Sequence, residues 1–100
     1  MQLTIDLLNV RDKTSLLTYL DETLFIKDWG RNWDALNDCL HDLSEGGFTE
    51  KYDFPLSIQV VNLEMFKTKN PDDFKIFEKI LLDQVDSHKN EGLELIVSFE

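Results

Sequence analysis

Every segment of this chain that predicts a β-strand is separated from the next one by a segment that predicts a helix. The strand segments are residues 2–8, in which apolar and polar side chains alternate, and the apolar runs 56–61 and 93–99. A connection that contains a helix favours parallel pairing of the two strands it joins, through a right-handed crossover. We therefore expect an α/β fold with a small three-stranded parallel sheet packed with three to four helices.

Two of the helices are predicted between the first and second strands. Asp12 or Thr14 is expected to cap the first of them, which carries an apolar stripe at helical spacing: Leu16, Leu17, Leu20 and Leu24. Gly30 marks a turn before the second helix, and Asn32 is its expected N-cap. The stretch that contains these two residues holds most of the chemical information in the chain.

The second half of the chain predicts a long helix that starts at Asn70-Pro71, where a cap residue and a first-turn proline precede two acids. A short helical turn is expected within residues 63–69, and Gly46-Gly47 indicates that residues 44–53 form a loop. The sequence contains no internal repeat and no segment with the composition of a linker. We expect a single domain over residues 1–100.

The second helix carries acid on one side and hydrocarbon on the other. At roughly 100° per residue, Asp34, Asp38 and Asp42 line the face opposite Leu36 and Leu40. Aspartates four residues apart repel each other, and Asp is a mediocre helix former, so helix stability alone does not account for the pattern. A solvated surface and a divalent-cation site are two interpretations. Recognition of a basic partner is the third, and the one we favour.

Two tryptophans flank the start of this helix. Trp29, beside Gly30, has either the position of an exposed anchor for a partner or that of a side chain packed against the first helix. Trp33 is ambiguous, because its helical phase points toward the core together with Leu36, Leu40 and Leu43. The loop and the helix together form the candidate partner surface.

The overall charge limits the kinds of partner. Acidic residues outnumber basic ones by 20 to 10, which gives a net charge of -10, whereas nucleic-acid binding depends on Lys and Arg. We therefore expect no direct contact with nucleic acid. The chain has no apolar run of membrane-spanning length and no signal-peptide pattern, so we expect no membrane contact and a cytoplasmic location.

The residues that could perform catalysis are few. His41 is expected to lie on the surface near Asp38, and His88 near the end of the long helix, where an imidazolium suits the helix dipole. Cys39 and His41 are two residues apart on a helix and point in different directions, so they are no catalytic dyad. The single cysteine excludes a disulfide within the chain and a four-cysteine metal site. We expect neither an enzyme nor a bound metal or cofactor.

The run Trp29-Gly30, Asn32, Asp34-Ala35-Leu36 and Asp38-Cys39-Leu40 resembles the barstar family of ribonuclease inhibitors. The order of strands and helices agrees with that resemblance. It implies that the second helix and the loop before it occlude the active site of one ribonuclease molecule, with Asp34 and Asp38 facing a basic cleft and Asp38 replacing a substrate phosphate. The expected partner-binding residues are Trp29, Gly30, Asn32, Trp33, Asp34, Asn37, Asp38 and Asp42.

The chain differs from the family pattern at several contact positions. Asp28 replaces a second aromatic residue of the loop, and Asn37 replaces a tryptophan of the helix. A glutamate of the long helix falls at Ser87, so Ser87 and the nearby Asp83 and Asp86 are expected as secondary contacts. These differences suggest a nuclease with a differently shaped cleft, such as the toxin of an interbacterial toxin–immunity pair. The alternative is a barstar-like adaptor that binds a basic protein other than a nuclease.

Overall fold

The computed structural model describes residues 1–26 and 29–100, so the replacement at Asp28 lies outside the described residues. In these described residues, three strands and four helices follow the predicted order, with two helices between successive strands. In chain order they are β1 (Gln2–Asp6), α1 (Lys13–Leu24), α2 (Trp33–His41), β2 (Leu56–Val61), α3 (Glu64–Lys69), α4 (Pro71–Asn90) and β3 (Leu95–Phe99).

The strands form one parallel sheet in the order β1-β2-β3, which confirms the predicted fold class. The central strand β2 pairs on both sides, so that Val60 lies opposite Ile5 of β1 and Phe99 of β3. Side chains of β2 alternate between fully and partly buried positions, as expected for a strand with a neighbour on each side. Because the strands are parallel, their carboxyl ends all lie at one edge of the sheet and their amino ends at the opposite edge.

The outer strands are shorter than predicted, and local hydrogen bonds explain why. After Asp6 the carboxylate of that residue accepts the Leu8 backbone N–H at 3.0 Å, which turns the chain away from the sheet. At the other end, Gly92 adopts φ 77° and the Leu93 N–H donates to the His88 carbonyl at 2.8 Å. Leu93 therefore belongs to the turn that ends α4, and β3 begins only at Leu95.

The helices contribute most of the apolar core. All four leucines of the predicted α1 stripe are buried, and Asp12, not Thr14, is the cap: it accepts the Ser15 N–H at 2.9 Å, and the Ser15 hydroxyl accepts the Asp12 N–H in return. Buried side chains of the other two long helices complete the core: Leu36, Cys39 and Leu40 of α2, and Phe74, Phe77, Ile80 and Leu81 of α4. Within the described part of the chain, none of the helices combines the length and apolar character needed to cross a bilayer.

Candidate partner-binding site

The start of α2 is fixed by Asn32, as predicted. Asn32 has an extended backbone, and its Oδ1 accepts the Ala35 N–H at 2.8 Å, which satisfies one of the free donors of the first turn. The helix phase set in this way buries Leu36 and leaves Asp34 exposed. Asp34 also lies in the first turn, where the helix dipole favours a carboxylate.

Asp34 and Asp38 lie one turn apart on the exposed face of α2. None of the ion pairs found among residues 1–26 and 29–100 involves either carboxylate. Beneath them, burial and the charges of Asp38 and Asp42 raise the pKa of the Cys39 thiol to about 11. This cysteine is 1% exposed and stays protonated near neutral pH, so it is no nucleophile.

The prediction that Asp42 extends the acidic stripe is wrong. The helix ends at His41, and Asp42 is a half-buried C-cap residue whose carbonyl accepts the N–H groups of Glu45 and Gly46 at 3.0 and 2.8 Å. A Cβ placed on Gly47 would lie 2.8 Å from the Asp42 Oδ2, which shows that the carboxylate faces the loop of its own chain. Gly46, at φ 75°, allows this turn back toward the helix.

The two tryptophans, Trp29 and Trp33, are both half-buried near the start of α2. Trp29 is half-buried against the core, and its indole N–H is buried without a hydrogen-bond partner among the described residues. The interpretation of Trp29 as an exposed anchor is therefore wrong, and packing is the correct one. Trp33 is also half-buried, and the Lys13 ammonium lies 5.5 Å above its ring. Both tryptophans are therefore held by contacts within the chain.

The exposed residues Gly30 and Asn32 lie between Trp29 and Trp33, immediately before α2. Between them, Arg31 has a positive φ of 50°, and its guanidinium pairs with Asp21 of α1. This ion pair connects the loop to α1. Gly30 and Asn32 thus sit beside the acidic face, on a segment attached to a neighbouring helix.

The long helix α4 borders the acidic face on one side. Gln84 donates from Nε2 to the backbone carbonyl of Asn37 at 3.2 Å and to its side-chain Oδ1 at 2.9 Å. One turn further on, the Ser87 hydroxyl lies 3.1 Å from Nδ1 of His41, whose Nε2 is 3.5 Å from a carboxylate oxygen of Glu91. His41 thus contacts α4 and not Asp38, in contrast to the prediction.

Of the three candidates on α4, only Ser87 reaches α2. Asp83 is exposed and bonded to Lys79 one turn earlier, at 2.8 Å. Asp86 lies roughly 160° around the helix axis from Gln84 and so points away from α2. Asp83 is thus paired within α4, one turn before Ser87, and Asp86 lies on a different face of that helix; their contact with a partner stays a prediction.

His88 provides a buried connection that the sequence prediction missed. Its side chain is fully buried in the core. Its Nε2 lies 3.1 Å from the Leu40 carbonyl, near the end of α2. A carbonyl only accepts, so Nε2 carries the hydrogen. The ring lies against Phe54 at 5.1 Å and against His41 at 6.0 Å. The sequence does contain a signal for this burial, because Gln84 and His88 stand at positions that continue the apolar face of α4.

The described ranges 1–26 and 29–100 contain no group of three or more His, Cys, Asp or Glu side chains placed to hold a metal ion. The arrangement is an acidic helix face on a packed support, with a carboxylate pair available to bind cations. In a comparison with known protein families, the family model described as Barstar (barnase inhibitor) matches residues 1–100. No curated protein matches the chain.

Proposed function

The chain belongs to the barstar family, whose type of activity is inhibition of ribonucleases, and we propose that it is an immunity protein for one ribonuclease toxin. In this proposal α2 and the loop before it occlude the active site of the toxin in a 1:1 complex. An interface of about 800 Å² on each partner is sufficient for a stable complex of this kind. The protein carries out no reaction on RNA itself.

The observation that carries the proposal is the exposed pair Asp34 and Asp38, which lie one helical turn apart. Neither carboxylate takes part in an ion pair within residues 1–26 and 29–100. Side chains one turn apart on a helix have Cβ atoms about 5–6 Å from each other. A ribonuclease cleft holds Lys and Arg to bind RNA phosphates, and the two carboxylates offer the same charge to those cations. The chain's net charge of -10 accelerates the encounter.

The support beneath the pair favours tight binding. Buried Leu36 and Leu40 hold α2 to the core, while Gln84 and His88 bond its backbone carbonyls to α4. A surface that is already ordered loses little conformational entropy on association. We propose that Gly30, Asn32, Asp34, Asn37 and Asp38 contact the toxin and that Trp29 and Trp33 support them.

The experiment is a titration of barnase, the ribonuclease named in the family's description, with the purified protein while RNA hydrolysis is followed. Stoichiometric inhibition is expected. Asp38→Ala should weaken inhibition most and Asp34→Ala next, each by at least tenfold, and rising salt should slow association. Asp72→Ala is the control, because Asp72 lies in the first turn of α4, about 18 Å along the helix from Gln84.

Unchanged inhibition by both aspartate variants would contradict the acidic-plug mechanism. Binding to a basic protein without inhibition of ribonuclease activity would instead support the adaptor function.

A further inference from the structure

We infer that Asn37 determines which partners α2 accepts, by presenting N–H donors beside the carboxylates of Asp34 and Asp38. The partner must then place an acceptor oxygen, from a carboxylate or a carbonyl group, next to its cations. This inference rests on the proposed function, since it assumes that the exposed face of α2 is the contact surface.

The orientation of the Asn37 side chain follows from a chain of hydrogen bonds. The backbone carbonyl of Asn37 can only accept, so the Gln84 atom 3.2 Å from it must be the nitrogen, Nε2. The same Nε2 lies 2.9 Å from the end of the Asn37 side chain, and that atom must therefore be the acceptor, Oδ1. These two hydrogen bonds use both hydrogens of the Gln84 amide. The Nδ2 group of Asn37 forms no hydrogen bond with Gln84.

Gln84 holds this arrangement because it has little freedom to turn. Its side chain is 3% exposed, and its Oε1 is buried with no hydrogen-bond partner in the described part of the chain. A rotation that exchanged Oε1 and Nε2 would place an oxygen against the Asn37 carbonyl and bring two acceptors together. The buried amide therefore fixes which end of the Asn37 carboxamide is occupied.

Asn37 is exposed and shares the outer face of α2 with the two aspartates. Around the helix axis it lies roughly 60° from Asp34 and 100° from Asp38. The face thus combines carboxylate acceptors with one N–H donor group. A cleft lined only by Lys and Arg would oppose this donor with further donors and would bind a third carboxylate better.

The chemistry of a ribonuclease accounts for an acceptor at that place. RNA cleavage by general acid–base catalysis requires a group that takes a proton, held close to the cations that bind the phosphate. An amide donor on the inhibitor pairs with such a group, whereas a carboxylate would repel an ionised one. Asn37 therefore selects a cleft in which cations and a proton acceptor lie side by side.

The test compares Asn37→Asp with wild type for inhibition and binding of barnase. The carboxylate still accepts from Gln84 but offers no donor, and we expect affinity to fall at least tenfold despite the added negative charge. Asn9→Asp makes the same charge change in the loop after β1 and should stay within twofold of wild type. Equal or tighter binding of Asn37→Asp would overturn the inference alone, whereas absence of inhibition by the wild-type protein would overturn the proposed function.

The role of Gln84 as a positioning residue is tested by Gln84→Met, which keeps the length of the side chain and removes its donors. We expect about threefold weaker binding and, by NMR, a mobile Asn37 carboxamide. In the double variant with Asn37→Asp, the effect of Gln84→Met on affinity should be smaller, because the donor that Gln84 positions is already absent and only its bond to the backbone carbonyl is lost. Additive effects together with an unchanged Asn37 carboxamide signal would refute the positioning role.

Discussion

Alkaline pH should weaken the fold through Cys39, and the size of the effect follows from the surroundings of its thiol. Burial and two neighbouring carboxylates raise the pKa of Cys39 to about 11, from an ordinary value of 9.0. The unfolded chain therefore loses this proton first as pH rises. The stabilisation of the folded state by the protonated Cys39 thiol is complete below pH 9 and is lost between about pH 9 and 11. One pKa unit corresponds to about 1.4 kcal/mol, so roughly 2 kcal/mol should be lost at pH 11.

The assay is urea unfolding of the wild-type protein and of Cys39→Ala at pH 8, 9, 10 and 11. Burial also raises the pKa of Tyr52, but that residue is present in both proteins, so its effect cancels in the comparison. The difference in unfolding free energy between the two proteins should shrink by about 2 kcal/mol from pH 8 to pH 11. If the two free energies instead fall in parallel over this range, the thiol is not held as the structure indicates.

The remaining predictions concern the frame that holds α2. Leu36→Ala should lower the unfolding free energy by about 2–5 kcal/mol in urea, because Leu36 is fully buried and the surrounding core cannot close the cavity. Asn32→Ala should cost about 1 kcal/mol through loss of the N-cap, and Asn32→Ser should restore most of it, as measured by thermal unfolding. Gly46→Ala should be more destabilising than Gly92→Ala: both glycines have positive φ, but only the first would bring a Cβ within 3.0 Å of the Lys51 backbone. Equal loss in the two glycine variants would show that strain alone decides their effect.

Local periodicity was sufficient to predict the sheet and the helices, because each element buries the face that its sequence marks as apolar. The cap residue Asn32 and the start of α4 at Pro71 also followed from local chemistry, while Asp12 was one of two candidates for the cap of α1. The ends of elements were less predictable. Leu93 and Asp42 both continue a favourable pattern, yet hydrogen bonds of the adjoining turns remove them from β3 and α2.

Side-chain roles that depend on distant segments were beyond local sequence reasoning. Trp29 has the same local sequence whether it is exposed or packed, and only the tertiary arrangement places it against the core. His41 was expected beside Asp38 because both lie on one helix, but α4 provides Ser87 and Glu91 as its partners. Asp86 is next to Ser87 in the sequence but lies roughly 100° from it around the helix axis, whereas Asp83 lies one turn before Ser87 and pairs with Lys79.

The two buried polar residues of α4 explain how the acidic face keeps a defined orientation. Apolar side chains at Gln84 and His88 would pack α2 without specifying its rotation or its position along α4, since apolar contacts are not directional. Hydrogen bonds to the carbonyls of Asn37 and Leu40, one turn apart, permit a single alignment. Within residues 1–26 and 29–100, the Gln84 Oε1 and His88 Nδ1 atoms have no hydrogen-bond partner, and this is the energetic cost of that alignment. Under the proposed function the carboxylates of Asp34 and Asp38 have to be held at fixed positions, so such a cost is expected beneath α2 rather than elsewhere in the core.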